Sequence, residues 1–250
     1  MRQDKFLGAV RSQWELSLSL PVGSGTRRPP TYVGARDHRP TAVSAPRTSA
    51  EIGRRLTSTA PDLKAELRRS ALARRKAVSP ELRAQLTARL VGEGLRLAGL
   101  WKPAVVSAFH PIREEPDALA LLGALADVGF EVALPVVRGR ETHLDFRLWR
   151  PGQPTALGPM GISEPLEDAS LVDPDLLFTP LVCFDRRGRR IGYGAGFYDR
   201  TLARLRAMKT IRAVGVAYGV CEVAVVPYEA HDQTLDAIVT EQETIFVSER

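Results

Sequence analysis

LLFTPLVCFDRRGRRIGYGAGFYDRTL, residues 176–202, carries three structural signals in a fixed order. Leu176 to Phe184 is an apolar run rich in Leu, Val and Phe, the pattern of a strand buried in an α/β sheet. Asp185-Arg186-Arg187-Gly188 breaks that run, and Gly192, Gly194 and Gly196 follow at alternate positions. Phe197 to Met208 then has the period of an amphipathic helix. A strand, a glycine-rich turn and a helix N-terminus in that order can cradle an anion. Glycine frees the backbone to turn its N–H groups inward, and the helix dipole adds positive potential. Arg186, Arg187, Arg189 and Arg190 are four cations in the same stretch, and Asp199 stands where a phosphate-bound Mg²⁺ can be held. The same glycines also serve tight strand–helix connections that bind nothing, so loop geometry alone leaves both readings open. The spacing matches neither the Walker A pattern nor G-x-G-x-x-G, so a generic nucleotide fold is not indicated.

The 250 residues suffice for one domain with a core, or one domain with an extension. The net charge of +6 is unevenly placed. Residues 1–60 hold ten Lys/Arg against four Asp/Glu, while the rest carries twenty-five of each sign. The basic balance is therefore no argument that the folded part binds nucleic acid. Residues 1–60, with few sustained apolar positions and much Pro, Ser, Thr, Arg and Gly, read as a disordered basic extension. Trp14 to Val22 offers one short apolar segment there. Leu16 to Val22 is too short and serine-interrupted for a signal peptide, and the acids count against a transit peptide. No run of eighteen apolar residues occurs. Cys183 and Cys221 sit in apolar surroundings and read as small buried hydrophobes in a reducing, cytoplasmic protein.

Order is expected from Pro61. Helices are predicted from Asp62 and, after the Ser79-Pro80 cap, through about Ala98, with Lys64, Arg68, Arg69, Arg74, Arg75 and Lys76 as a charged face on the first. Strands are predicted over Ala104–Phe109 and Phe130–Val137, separated by a helix ending at Val128-Gly129, which makes a βαβ unit. His143–Trp149 alternates and can form a hairpin with the second strand, giving a mixed sheet. Ile211–Tyr218 and a final Ala237–Thr240 complete the set. The expected fold is a three-layer α/β/α sandwich over residues 61–250, with a mainly parallel or mixed sheet.

Asp185, Gly188, Arg190, Gly192, Gly194, Gly196 and Tyr198-Asp199-Arg200 resemble the signature of the 5-formyltetrahydrofolate cyclo-ligase family. Three more segments agree. Lys64-Ala65-Glu66-Leu67-Arg68 resembles the family's K-x-x-x-R, Gly161 to Pro165 its GI-x-EP, and Val226 to Asp236 its closing VP-x-E-x-H-D-x-x-x-D. The resemblance implies ATP- and Mg²⁺-dependent cyclisation of 5-formyltetrahydrofolate to 5,10-methenyltetrahydrofolate, with release of ADP and phosphate. It implies that Lys64 and Arg190 act on the transferring phosphate. Lys64, Arg68, Arg190 and the loop Gly192-Tyr193-Gly194-Ala195-Gly196-Phe197-Tyr198-Asp199 would bind ATP. His110, Glu115 and Tyr198 would contact the folate, and Asp199 with Asp232 would hold Mg²⁺. Read without the resemblance, Glu115 is a helix-start carboxylate, and Trp149 either a pterin-stacking or a core residue.

Two positions depart from the family pattern: Phe197 stands where a tyrosine is usual, and Ala195 where Gly or Lys is common. Small-molecule substrates, a monomer, no membrane and no nucleic acid are the partners expected. A phosphosugar isomerase and a non-catalytic RNA- or nucleotide-binding paralogue, with the basic N-terminal tail as its electrostatic arm, remain as rivals.

Overall fold

The computed structural model describes residues 59–247. The expectations for residues 1–58, including the Trp14–Val22 segment, lie outside these. The chain opens with α1 (Ala60–Lys76) and α2 (Pro80–Trp101). Asp62 accepts hydrogen bonds from the Thr59 N–H and hydroxyl at the start of α1, and Ser79 Oγ accepts from Leu82 N at the start of α2. Next come β1 (Val105–Ser107), α3 (Leu119–Asp127), β2 (Glu131–Val137), β3 (Leu144–Leu148), β4 (Thr155–Leu157), β5 (Ser163–Pro165) and β6 (Leu171–Val172). The chain continues with β7 (Leu176–Pro180), β8 (Cys183–Phe184), β9 (Arg190–Ile191), α4 (Phe197–Met208), β10 (Arg212–Val216), β11 (Ala237–Val239) and β12 (Thr244–Phe246).

Eight strands form the main sheet in the order β12-β11-β10-β7-β1-β2-β3-β6. The five central strands, β11 to β2 in that order, run parallel, and the antiparallel pairings lie towards its edges, at β2–β3, β3–β6 and β11–β12. Successive strand residues serve opposite faces, as the two-residue period requires. Val106, Val132, Leu134, Phe178 and Val214 join α3 and the C-terminal half of α2 in one core cluster. Val105, Ala133, Leu177 and Ala213 join Leu202 and Leu205 of α4 in another. Helices therefore cover both faces, and the three-layer expectation holds.

The sheet's topology locates the site. From β1 the chain crosses through α3 to β2 on one side, and from β7 it crosses through α4 to β10 on the other. Strands β1 and β7 are neighbours, so the two crossovers depart in opposite directions. That is a topological switch point, where a crevice opens beyond the strands' C-terminal ends.

Some elements differ from the sequence reading. Residues 176–202 are not one strand followed directly by a glycine turn. After β7, a small β8–β9 hairpin stands between the sheet strand and the loop. Buried Asp185 organises its turn: Oδ1 accepts from the N–H groups of Arg187 and Arg189, and Oδ2 accepts from that of Val226. Ala237–Val239 is not the last strand, because β12 pairs antiparallel beyond it. Trp149 is a core residue: it is buried in the cluster with α3, and its indole N–H donates to Gln153 O at 3.2 Å. Arg75 does not belong to a solvated face. It is 1 % exposed, donates to Leu181 O and to the Tyr193 hydroxyl, and lies 5.6 Å from the Tyr193 ring centre. Both cysteines are free and buried, and burial pushes the thiols up, Cys183 to about 12 and Cys221 to about 11. Among the described residues no helix is long and apolar enough to cross a membrane.

Candidate active site

A cavity of about 370 Å³ opens at the switch point. It receives the segment after β1, the glycine loop after β9, the start of α4, one face of α1, the β4–β5 ribbon and the loop before β11. Nearly every residue expected from the sequence lines it: Lys64, Arg68, His110, Glu115, Arg190, Asp232 and the whole of Gly192–Asp199.

Its polar end is built by α1 and the glycine loop. Lys64 and Arg68 are one helical turn apart, so both reach the same side. Lys64 Nζ lies 2.6 Å from both Glu229 and Asp232. Burial opposes the charge on Lys64, but hydrogen bonds and attraction from the two carboxylates outweigh it and hold its pKa above the ordinary lysine value. Arg68 Nε donates to Gly192 O at 2.8 Å, and its guanidinium lies over Gly194, where a Cβ would stand 3.5 Å from Nη2. Gly194 has φ +107° and Gly196 φ +67°, conformations that L side chains rarely adopt. Gly196 leaves α4 without a side-chain cap, so its first N–H groups are open to an anion. Arg200, on the first turn of α4, donates to Ala195 O at 2.5 Å and stacks over Phe197.

Of the four arginines in the central stretch, only Arg190 lines the cavity. Its side chain is 4 % exposed and donates from Nη1 to Asp199 Oδ1 at 2.9 Å and to Gln233 O at 2.8 Å. Arg186 is a surface brace between Glu222 and Glu243, and Arg189 stacks on Tyr228 at 4.9 Å. Arg187 is exposed. The expectation of four phosphate-facing cations is corrected to one, because Arg186 and Arg187 lie in the turn of the hairpin and Arg189 is taken up by Tyr228, which leaves Arg190 on the strand at the crevice.

Glu229, His231 and Asp232 bring ligand atoms within 4.8 Å of one another. Asp199 is not part of that cluster; its Oδ1 takes the N–H of Gln233 as well as Arg190. Carboxylate oxygens are the donors Mg²⁺ prefers, and Glu229 with Asp232 already faces the positive charge of Lys64. The residues present therefore suit a divalent cation beside phosphate.

The other end is more apolar, with Phe109, Pro135, Val137, Leu144, Met160 and Ile162. Glu115 is buried, and its Oε2 accepts from Ile112 N at 3.0 Å while Oε1 has no hydrogen-bond partner. Burial raises its pKa, against the backbone bond from Ile112, the charge of Arg75, the nearby Tyr193 hydroxyl and the charge of Arg113. Tyr198 packs against the core, and burial, with the charge of Glu115, pushes its hydroxyl far up. His110 is half-buried at the rim.

Sequence reasoning missed three residues here. Glu229 and Glu164 each stand inside a motif that gives them no role of their own, and Arg75 reads as one of the charged face of α1 although it is buried. The i to i+4 spacing of Ala71 and Arg75 on α1 was the available signal for the last.

Fold and site together define an α/β protein of the switch-point class, with a glycine loop and basic side chains at one end of its cavity and buried carboxylates at the other. The model of the 5-formyltetrahydrofolate cyclo-ligase family matches residues 61–241, and the chain belongs to that family. It is 33% identical over 190 residues to the 5-formyltetrahydrofolate cyclo-ligase of Mycolicibacterium smegmatis, covering 72% of this chain and 94% of that one. The Escherichia coli enzyme of the same name is 33% identical over 172 residues, covering 67% and 94%. The solved structure of Aquifex aeolicus 5,10-methenyltetrahydrofolate synthetase superposes with a TM-score of 0.65 at 31% identity, over 75% of this chain and 94% of that one. The Mycoplasma pneumoniae synthetase, at 22% identity and TM-score 0.54, shares the fold over 70% and 97%. Membership sets aside the phosphosugar isomerase.

Proposed function

We propose that this chain closes 5-formyltetrahydrofolate to 5,10-methenyltetrahydrofolate, using Mg-ATP and releasing ADP and phosphate, as a cytoplasmic monomer. One observation carries the reading: a single cavity joins a cation- and glycine-lined end to an apolar end with a buried, half-satisfied carboxylate. The first suits a triphosphate and the second a reduced pterin, whose ring offers several N–H donors.

The chemistry needs both ends at once. A formamide oxygen is a poor leaving group, so it must be phosphorylated before N10 can displace it. The protein's contribution is positioning and charge neutralisation rather than covalent chemistry. Lys64, Arg68 and Arg190 hold the phosphates, with the Gly192–Gly196 backbone and the start of α4 beneath them. Arg190 is fixed by Asp199 and Gln233, so its guanidinium is preorganised toward the charge that develops on transfer. Mg²⁺, held by Asp232 and Glu229, would add neutralising charge at the phosphates, while Asp199 holds Arg190 in place. Glu115 accepts from the pterin through its free Oε1. His110 and Tyr198 line the folate's walls. Arg200, bridging to Ala195 O, supplies a cation near the position where relatives of this pattern carry a lysine, and Phe197 keeps the aromatic face without the hydroxyl.

The test is an absorbance assay with 5-formyltetrahydrofolate. The methenyl band is expected to grow only when Mg-ATP is present. A folded protein that binds ATP and produces no band would overturn the reading.

A further inference from the structure

The cavity holds a second buried carboxylate to which the reaction above gives no role. Glu164, from β5 of the ribbon, lines the cavity and is 7 % exposed. Oε1 accepts the N–H of Val137, the last residue of β2, at 3.1 Å. The ribbon is folded tightly over it: a Cβ on Gly158 would stand 2.2 Å from the carboxyl carbon and 2.4 Å from Oε2. A side chain at 158 would push this carboxylate out of its seat.

Five carboxylates line the cavity, and four of them face cations. Asp199 pairs with Arg190, and Glu229 and Asp232 pair with Lys64. Glu115 lies in the field of Arg75 and Arg113. Among the described residues Glu164 has no cation, only the Val137 N–H. Burial raises its pKa and that single hydrogen bond is all that opposes it. Carboxylates in one site whose surroundings differ in this way separate into acceptors of hydrogen bonds and acceptors of protons.

The cyclisation requires one proton acceptor. N10 is a secondary amine, and when its lone pair attacks the phosphorylated formyl carbon it still bears its hydrogen and becomes positively charged. We propose that Glu164 is the catalytic base that takes this proton. As the C–N10 bond forms, the N10–H electron pair returns to nitrogen and the proton passes to Oε2 of Glu164. The C–O bond then breaks towards phosphate, the N5 lone pair completes the N5–C–N10 amidinium, and Glu164 hands its proton to the departing phosphate. The formyl oxygen leaves with phosphorus, and no oxidant or further reactant is required. A carboxylate held ionised by a neighbouring cation would be a weaker base here, which is why the uncompensated one is assigned the task.

This assignment rests on the cyclo-ligase reading, and the experiment separates the two. Turnover of 5-formyltetrahydrofolate with Mg-ATP and calorimetric binding of 5-formyltetrahydrofolate are measured for the wild type and Glu164→Gln. The amide keeps an oxygen for the Val137 N–H. Turnover is expected to fall by about a hundredfold or more, the range for loss of a general base. The Kd should stay within about threefold, less than 1 kcal/mol. Gly158→Ala, which keeps the carboxylate but fills its seat, is expected to reduce turnover with the same unchanged Kd. Retained turnover in Glu164→Gln, or a loss matched by an equal loss of binding, overturns the base assignment while the wild-type reaction stands. A wild type that binds both substrates and forms no methenyl product overturns the reaction and this assignment with it.

Discussion

The two ends of the cavity treat charge in opposite ways. At the end built by α1 and the glycine loop, Lys64 and Arg190 are matched by Glu229, Asp232 and Asp199 at 2.6 to 2.9 Å. At the ribbon end, Glu164 is buried with no cation among the described residues, and Glu115, though in the field of Arg75 and Arg113, has one oxygen without a hydrogen-bond partner. The first arrangement stabilises the empty protein, and Arg68, which donates to the Gly192 carbonyl rather than to a carboxylate, keeps its charge for an arriving polyanion. The second raises the energy of the empty protein, because a desolvated carboxylate with a single backbone hydrogen bond costs free energy. The compensated end is a site that folds well, and the uncompensated end is one that waits for ligand donors or a proton.

The largest effect should come from breaking the compensated end at its most buried point. Arg190→Ala removes a guanidinium that is 4 % exposed and leaves Asp199 without its cation. We expect a loss in kcat/KM of about a thousandfold, with thermal unfolding showing destabilisation of about 3 kcal/mol. Full activity would show that the phosphates bind elsewhere. Lys64→Met comes next, with an expected rise of about tenfold or more in the KM for ATP and a smaller change in that for folate; equal changes in both would end the division of labour between the two ends.

Arg75→Met unlatches Tyr193 of the glycine loop from the protein interior. The expected result is a Tm lowered by several degrees, since about 1 kcal/mol corresponds to roughly 2–4 °C in a domain of this size. An unchanged Tm would mean that this buried guanidinium is energetically idle.

The uncompensated end predicts the reverse sign in stability. Glu115 has a folded-state pKa above its unfolded value, so the folded chain binds the proton more tightly between the two. Stability is then highest below the ordinary glutamate pKa and declines as pH rises through the raised one. Glu115→Gln is expected to match the wild-type Tm near pH 4 and to exceed it at pH 8, by about 2 °C, while folate binding weakens. A lower Tm at pH 8 would show that the carboxylate is satisfied after all. The smallest effect is reserved for Arg186→Ala. Its ion pairs lie at the surface, where each contributes about 1 kcal/mol or less, and turnover should stay within about twofold.

Much of this was legible from residue order. Apolar runs, the Ser79-Pro80 cap and the glycine spacing carry local information, and they located α1, α2, α4 and the parallel strands to within a few residues. The K-x-x-x-R spacing put Lys64 and Arg68 on one face because a helix has a fixed period. What failed was non-local. Nothing in Arg186 to Arg190 says which arginine points inward, since that depends on the β8–β9 hairpin and on where Glu222 and Glu243 return. Arg75 looks like any cation of a basic helix until Leu181 and Tyr193 close over it. Glu164 is ordinary in sequence, and only the Gly158 turn folding back upon it reveals a buried acid.

The central claim is that phosphate is transferred to the formyl oxygen within this one cavity. The most direct measurement uses 5-formyltetrahydrofolate labelled with heavy oxygen in the formyl group, incubated with the protein and Mg-ATP, with mass analysis of the phosphate released. The account predicts that each phosphate carries one heavy oxygen for every methenyl product formed. Unlabelled phosphate alongside methenyl product would contradict it.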